Sequence, residues 1–252
     1  MQDNVVLELQ QIHKTFGQKY VHQGVSFQLQ KDEILGLFGG SGTGKSVILR
    51  SIIGLERPDR GKIIFEDQDI TQLSESELTP IRTKIGYVFQ NGALFDSLTV
   101  EENLAYPLKE HTNLSQEEIR QKVNQMLELV DLRGSNHLLP NELSGGMQKR
   151  AGLARATILE PKVILFDEPT AGLDPGNTRR LIDNIKKLKS KGITGIFVTH
   201  DIPAALEISD RIAILYKGQL PVIDTVENIK KSSDPLVKSF ISGTIGTTQK
   251  KS

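Results

Sequence analysis

The chain has 252 residues, 31 Lys plus Arg against 31 Asp plus Glu, 25% charged residues and 37% hydrophobic ones. That balance suits one large soluble α/β domain, or a core with an inserted subdomain, and gives no bulk electrostatic pull toward nucleic acid or membrane. No cysteine is present, so disulfides and Cys-ligated zinc or iron–sulfur centres are excluded.

The first residues, Met1-Gln2-Asp3-Asn4, lack the basic start and apolar core of a signal peptide. Residues 5–9 and 25–29 alternate in polarity, which predicts half-buried antiparallel strands. Residues 34–38 (Ile-Leu-Gly-Leu-Phe) form an unbroken apolar run, as in a buried parallel strand, and one far too short to cross a bilayer. Any membrane role is therefore expected to run through a partner. A glycine-rich turn follows, then a helix over 47–53 and a turn over 58–61.

That glycine-rich turn reads Gly39-Gly40-Ser41-Gly42-Thr43-Gly44-Lys45-Ser46 and fits the Walker A pattern, with the required strand before and helix after. Glycines let the backbone curl so that successive N–H groups and the helix start face a phosphate. Lys45 adds a positive charge at the β- and γ-phosphates, and the Ser46 hydroxyl is a ligand for Mg²⁺. The alternative is a plain turn with a solvated lysine, which the flanking strand and helix argue against. The motif by itself predicts nucleotide binding and does not choose among NTPase families.

Residues 91–160 change character. Ser115 and Glu118 have capping-box spacing, and Ile119, Val123, Met126, Leu127 and Val130 recur on one helical face. This stretch is expected to be an inserted, mostly helical subdomain; the alternative is simply more helices packed on the core. Within it, Leu143-Ser144-Gly145-Gly146-Met147 opens a helix, with Ser144 as N-cap and two glycines that allow close approach of an anion.

Apolar residues 163–166 then lead into Asp167-Glu168. Two carboxylates at the carboxyl end of a buried strand stand where ligands gather in parallel sheets. Asp167 suits a Mg²⁺ shell, and Glu168, pointing elsewhere, suits polarising an attacking water. Alone, such a pair is more often the start of a solvated loop. A helix is expected over 178–188, with Gly192 as its C′ residue. Residues 193–198 predict a strand that delivers His200, beside Asp201, to a strand end. A further strand is expected at 212–215, and the segment after Gly243 is expected to be a mobile tail.

The order of these features resembles the ATP-binding cassette (ABC) family over nearly the whole chain: Walker A, a glutamine loop, an LSGG-type signature, Walker B, a D-loop and a histidine. The resemblance implies an α/β fold with a P-loop NTPase (RecA-like) core, an N-terminal antiparallel β subdomain and an inserted helical subdomain over 91–160, with the cassette ending near residue 243. It implies that Phe16 stacks on adenine, although a core Phe is the plain alternative, and that Gln90 contacts Mg²⁺ or water. It also implies that Ala171-Gly172-Leu173-Asp174 is the D-loop, and that Ser144, Gly145 and Gly146 bind the γ-phosphate held by a second copy. The site would then comprise the catalytic residues Glu168, His200 and Lys45. Nucleotide binding would fall to Phe16, residues 39–47, Gln90, Ser144–Gly146 and Asp174, and Mg²⁺ to Ser46, Gln90 and Asp167.

The chain departs from the common pattern at Met147 in place of Gln, Gly40 in place of Pro and Val47 in place of Thr. None removes a group needed for chemistry, though Val47 forfeits a hydroxyl donor near the α-phosphate. Residues 91–112, Met147 and the run Phe240-Ile241-Ser242-Gly243 are similar to Mla/Mce-type lipid-transport ATPases. That similarity implies ATP and Mg²⁺, a homodimer, a membrane permease, a periplasmic MCE-domain protein and a small STAS-domain partner. It places the chain on the cytoplasmic face of an inner membrane, with no nucleic-acid partner. Amino-acid or other small-solute import, and a non-transport regulatory ABC ATPase, are the competing functions.

Overall fold

A computed structural model describes residues 4–242. In chain order they form β1 (Val5–Phe16), β2 (Lys19–Gln30), β3 (Ile34–Gly39), α1 (Lys45–Ile52), β4 (Arg60–Phe65), β5 (Gln68–Asp69), α2 (Glu75–Arg82) and β6 (Ile85–Val88). There follow α3 (Val100–His111), α4 (Gln116–Leu129), α5 (Gly145–Thr157), β7 (Val163–Asp167) and α6 (Pro175–Lys189). The chain closes with β8 (Gly195–Val198), α7 (Ile202–Ile208), β9 (Arg211–Tyr216), β10 (Gln219–Thr225), α8 (Val226–Lys231) and α9 (Pro235–Ile241). The expected tail after Gly243 lies outside the described residues. No helix among the described residues is long and apolar enough to cross a membrane.

The fold is mixed α/β and divides into two compact units, one made of residues up to Ile81 and from Thr194 onward, the other of Arg82–Ile193. In the first unit, β1 pairs antiparallel with both β2 and β4, with Leu9 opposite Phe27 on one side and Ile63 on the other. Leu7, Leu9, Val25, Phe27 and Leu29 are buried at the alternate positions that the sequence predicts. The second sheet of this unit centres on β3, parallel to β8 and to β9, with β10 antiparallel on the far side of β9. All six residues of β3 are buried, as befits a strand covered on both faces.

In the second unit, β6 and β7 run parallel in the register Tyr87–Leu165 and Val88–Phe166. Helices α3 and α4 both begin with full capping boxes, Thr99 with Glu102 and Ser115 with Glu118. The α4 stripe buries Ile119, Val123 and Leu127 as expected; Val130 is also buried but is the C-cap.

Several boundaries differ from expectation, among them the helix expected over 47–53, which runs Lys45–Ile52, and the strand expected over 193–198, which runs Gly195–Val198; three others have a local cause. The helix after the acidic strand starts at Pro175, because Asp174 caps it and proline is pre-organised for the first helical position. Its C-cap is Ser190, so Gly192, at φ 81°, lies two residues beyond the cap rather than at C′. Strand β4 begins at Arg60, inside the expected turn, because pairing with His13 extends it.

Candidate active site

The first unit carries the glycine-rich loop. β3 ends at Gly39, the loop crosses residues 40–44, and α1 starts at Lys45. Gly44 is the N-cap at φ 101° with no side-chain cap. A Cβ there would lie 2.4 Å from Val21 Cγ1 and 2.7 Å from His22 Nε2, so only glycine fits. The Lys45 ammonium is buried and donates to the carbonyls of Gly39 (2.9 Å) and Gly40 (3.1 Å), arched back across the loop. The Thr43 hydroxyl donates to Gly40 O at 2.9 Å and tightens the turn. A Cβ at Gly42 would meet nothing within 4 Å. The loop thus offers an open concave face and a helix start without a side-chain cap, which fits a polyphosphate.

His200 leaves β8 on the same sheet edge. Leu37 of β3 stands opposite Val198 of β8, so the two parallel strands deliver the loop and the exposed histidine together. Phe16 closes β1 with its ring 44% exposed and the Lys14 ammonium 5.0 Å from its centroid. That exposure removes the core-Phe alternative.

His22 was not foreseen as a site residue. Its Nε2 lies 3.0 Å from Gly44 O, so the imidazole donates to the carbonyl at the foot of the loop, while Nδ1 is buried without a partner. Burial above all, and then the Lys14 charge, push its pKa down; the Gly44 bond pulls the other way. The ring is therefore neutral. Nothing in the sequence marks it: only the fold shows Val21 and His22 buried in succession, breaking the alternation of β2.

The second unit carries the carboxylates. β6 and β7 end level, so Gln90 and Asp167 leave the same edge, Gln90 exposed and Asp167 half-buried. The Tyr87 hydroxyl donates to Asp167 Oδ2 at 2.8 Å and fixes that side chain, a role the sequence did not single out. Glu168 adopts φ 51°, an uncommon conformation for a non-glycine residue. The sharp turn there is closed by Ala171 N donating to Glu168 O at 3.1 Å. The chain thus leaves strand geometry between the two successive carboxylates, Asp167 closing β7 and Glu168 opening the turn.

The signature also lies in this unit. Ser144 caps α5, its hydroxyl accepting from Met147 N at 3.3 Å, and Ser144 and Gly145 are exposed while Gly146 is buried. The helix therefore presents its first N–H groups outward, ready for an anion. Asp174 caps α6 by accepting from Asn177 N at 3.0 Å. The Asn177 backbone N–H first, and its side chain second, hold the Asp174 carboxyl below the usual carboxylate range. Val47 sits on α1, one residue past Ser46.

The sequence profile described as "ABC transporter" matches residues 22–171, more than half of the chain. The chain belongs to the ABC transporter ATPase family. As a member it is an ATP-binding, ATP-hydrolysing subunit of a transporter. It is 42% identical over 240 residues to the "Probable ribonucleotide transport ATP-binding protein mkl" of Mycobacterium leprae, covering 95% of this chain and 69% of that one. It is 38% identical over 239 residues to the "Intermembrane phospholipid transport system ATP-binding protein MlaF" of Escherichia coli K12, covering 94% and 89%. Among solved structures, the ABC cassette MJ0796 bound to ADP and Pi in a dimeric post-hydrolysis state superposes with a TM-score of 0.79 at 34% identity, covering 87% of this chain and 98% of that one. The P-loop NTPase core expected from the sequence is the fold of these cassettes.

Proposed function

We propose that two copies of this chain hydrolyse ATP beneath a membrane permease to move phospholipid between two membranes. The observation that carries the lipid reading is the match to MlaF, the ATP-binding protein of an intermembrane phospholipid transport system, over 94% of this chain and 89% of that one.

In this reading Phe16 stacks on adenine, and the N–H groups of residues 39–47 with the Lys45 ammonium bind the phosphates. Ser46, Gln90 and Asp167 carry the oxygens that would hold Mg²⁺, a hard cation that takes such ligands and neutralises developing phosphoryl charge. Tyr87 keeps Asp167 oriented. Glu168 polarises the attacking water, and His200 holds its place at the γ-phosphate. Ser144, Gly145 and Gly146 of the second copy, with its Asp174, complete the pocket. Bridging by ATP favours the closed pair only through its differential affinity for that state. The same reading puts the chain on the cytoplasmic face of the inner membrane, with an MCE-domain protein on the periplasmic side and a STAS-domain protein beside the cassette.

A second reading, transport of ribonucleotides, is favoured by the 42% identity to a probable ribonucleotide transport ATP-binding protein. Purifying the intact complex with its permease, and identifying the bound small molecules by mass spectrometry, separates the two. Phospholipid, with ATPase activity raised by phospholipid vesicles, is the expected result. Bound ribonucleotide other than ATP or ADP, with no response to lipid, overturns the lipid reading.

A further inference from the structure

The second unit ties its signature helix to the loop after Glu168 through two side chains that the functional reading leaves without a role. The Lys149 ammonium, on the second turn of α5, donates to the carbonyl of Ala171. Burial pushes its pKa down, so an expensive charge is spent on one backbone carbonyl. Ala171 N in turn donates to Glu168 O at 3.1 Å. The second tie is Asn177. A Cβ on Gly146 would lie 2.3 Å from Asn177 Oδ1 and 2.4 Å from its Cγ, so the amide lies directly against the signature backbone. The Asn177 Nδ2 donates to Asp174 Oδ2 at 2.5 Å, and its backbone N to Oδ1 at 3.0 Å. Segment 168–177 is thus held against α5 at Ala171 and at Asn177.

We infer that Lys149 and Asn177 are positioning residues that lock the exposed Ser144–Gly145 edge to the Glu168–Asp174 segment, so that the two ATP sites of a pair are coupled through each chain. The inference rests on the composite-site reading above. Within one chain Glu168 serves the nucleotide on its own glycine loop, while Ser144 serves the nucleotide of the second copy. A contact between the two segments is then a contact between two sites. Removing Lys149 frees the Ala171 carbonyl and lets segment 168–174 shift relative to α5. Neither residue belongs to the glycine loop, so affinity of a lone chain for ATP is untouched.

The test uses the full chain. Binding of a fluorescent ATP analogue is measured at dilutions where the chain is monomeric, and ATP-driven pairing is followed by light scattering in a Glu168→Gln background. Lys149→Met and Asn177→Ala are expected to leave monomer affinity within about twofold of the parent and to weaken pairing by about tenfold, the scale of one charge-assisted hydrogen bond. In the parent with Glu168 intact they lower kcat and flatten the cooperativity of the ATP dependence, and Lys149→Arg restores both. Unchanged pairing in both variants, while the Glu168→Gln parent pairs normally, overturns the coupling and leaves the composite site standing. Loss of monomer ATP affinity, or a fall in thermal stability that Lys149→Arg does not repair, assigns the two residues a merely structural role and also overturns it. Failure of the Glu168→Gln parent to pair at all overturns the composite site, and the coupling falls with it.

Discussion

His22 sits under the glycine loop with one ring nitrogen bonded to Gly44 O and the other buried without a partner. A proton on Nδ1 would be a buried donor with nothing to meet. Because burial lowers its folded pKa below the ordinary value of about 6.5, the unfolded chain takes up the proton first as pH falls. The stability it contributes is complete above 6.5 and is lost as pH drops from there toward the lowered native value. Melting temperature is expected to fall as pH drops below about 6.5, and a His22→Gln variant is expected to lose part of that dependence; identical pH profiles would contradict it. Tyr87 offers a second test. Tyr87→Phe removes one hydroxyl donor to Asp167 and is expected to lower kcat by about tenfold with KM for ATP little changed; a full-rate variant would remove Tyr87 from the site. Lys45, Asp167 and Glu168 were legible because motif and strand end agree. His22 and Tyr87 were not, because a lone ring on a strand gains its role only from what folding brings beneath it, 22 residues away for His22 and 80 for Tyr87.

At the scale of elements, the same logic separates what periodicity reveals from what it conceals. The buried stripe of α4 and the alternation of β1 and β2 were legible because each repeats over several turns or pleats. Strands β5 and β6 span two and four residues, too few to establish a period, and were not anticipated. Residues 91–112 also hold a structural device. Asn103, fully buried on α3, accepts from Phe95 N at 2.8 Å and donates to the carbonyls of Phe95, Leu98 and Thr99. It pins the loop that carries Phe95, whose ring lies under the Arg155 guanidinium at 4.2 Å and edge-on to Tyr106. Asn103→Ala removes all four of these side-chain hydrogen bonds at once and is expected to cost about 2–4 kcal/mol, read as a lowered urea midpoint. A midpoint within error of the parent would show that water replaces the amide without loss.

For the whole molecule, the order of motifs along the chain predicted an ATP-hydrolysing cassette, and the match of residues 22–171 to the ABC transporter profile places it there. What the chain moves was less legible. Relatives at 42% and 38% identity carry names with different cargo, ribonucleotide and phospholipid. The cause is physical, since the groups that bind and cleave ATP are shared whatever a permease carries. Formal net charge is zero, so bulk electrostatics identifies no partner either. The central claim, that Glu168 drives hydrolysis of ATP held on the glycine loop, is tested most directly by the ATPase rate of Glu168→Gln in the intact complex. The account predicts a fall of about 10²–10⁴ with ATP still bound; hydrolysis near the parent rate would contradict it.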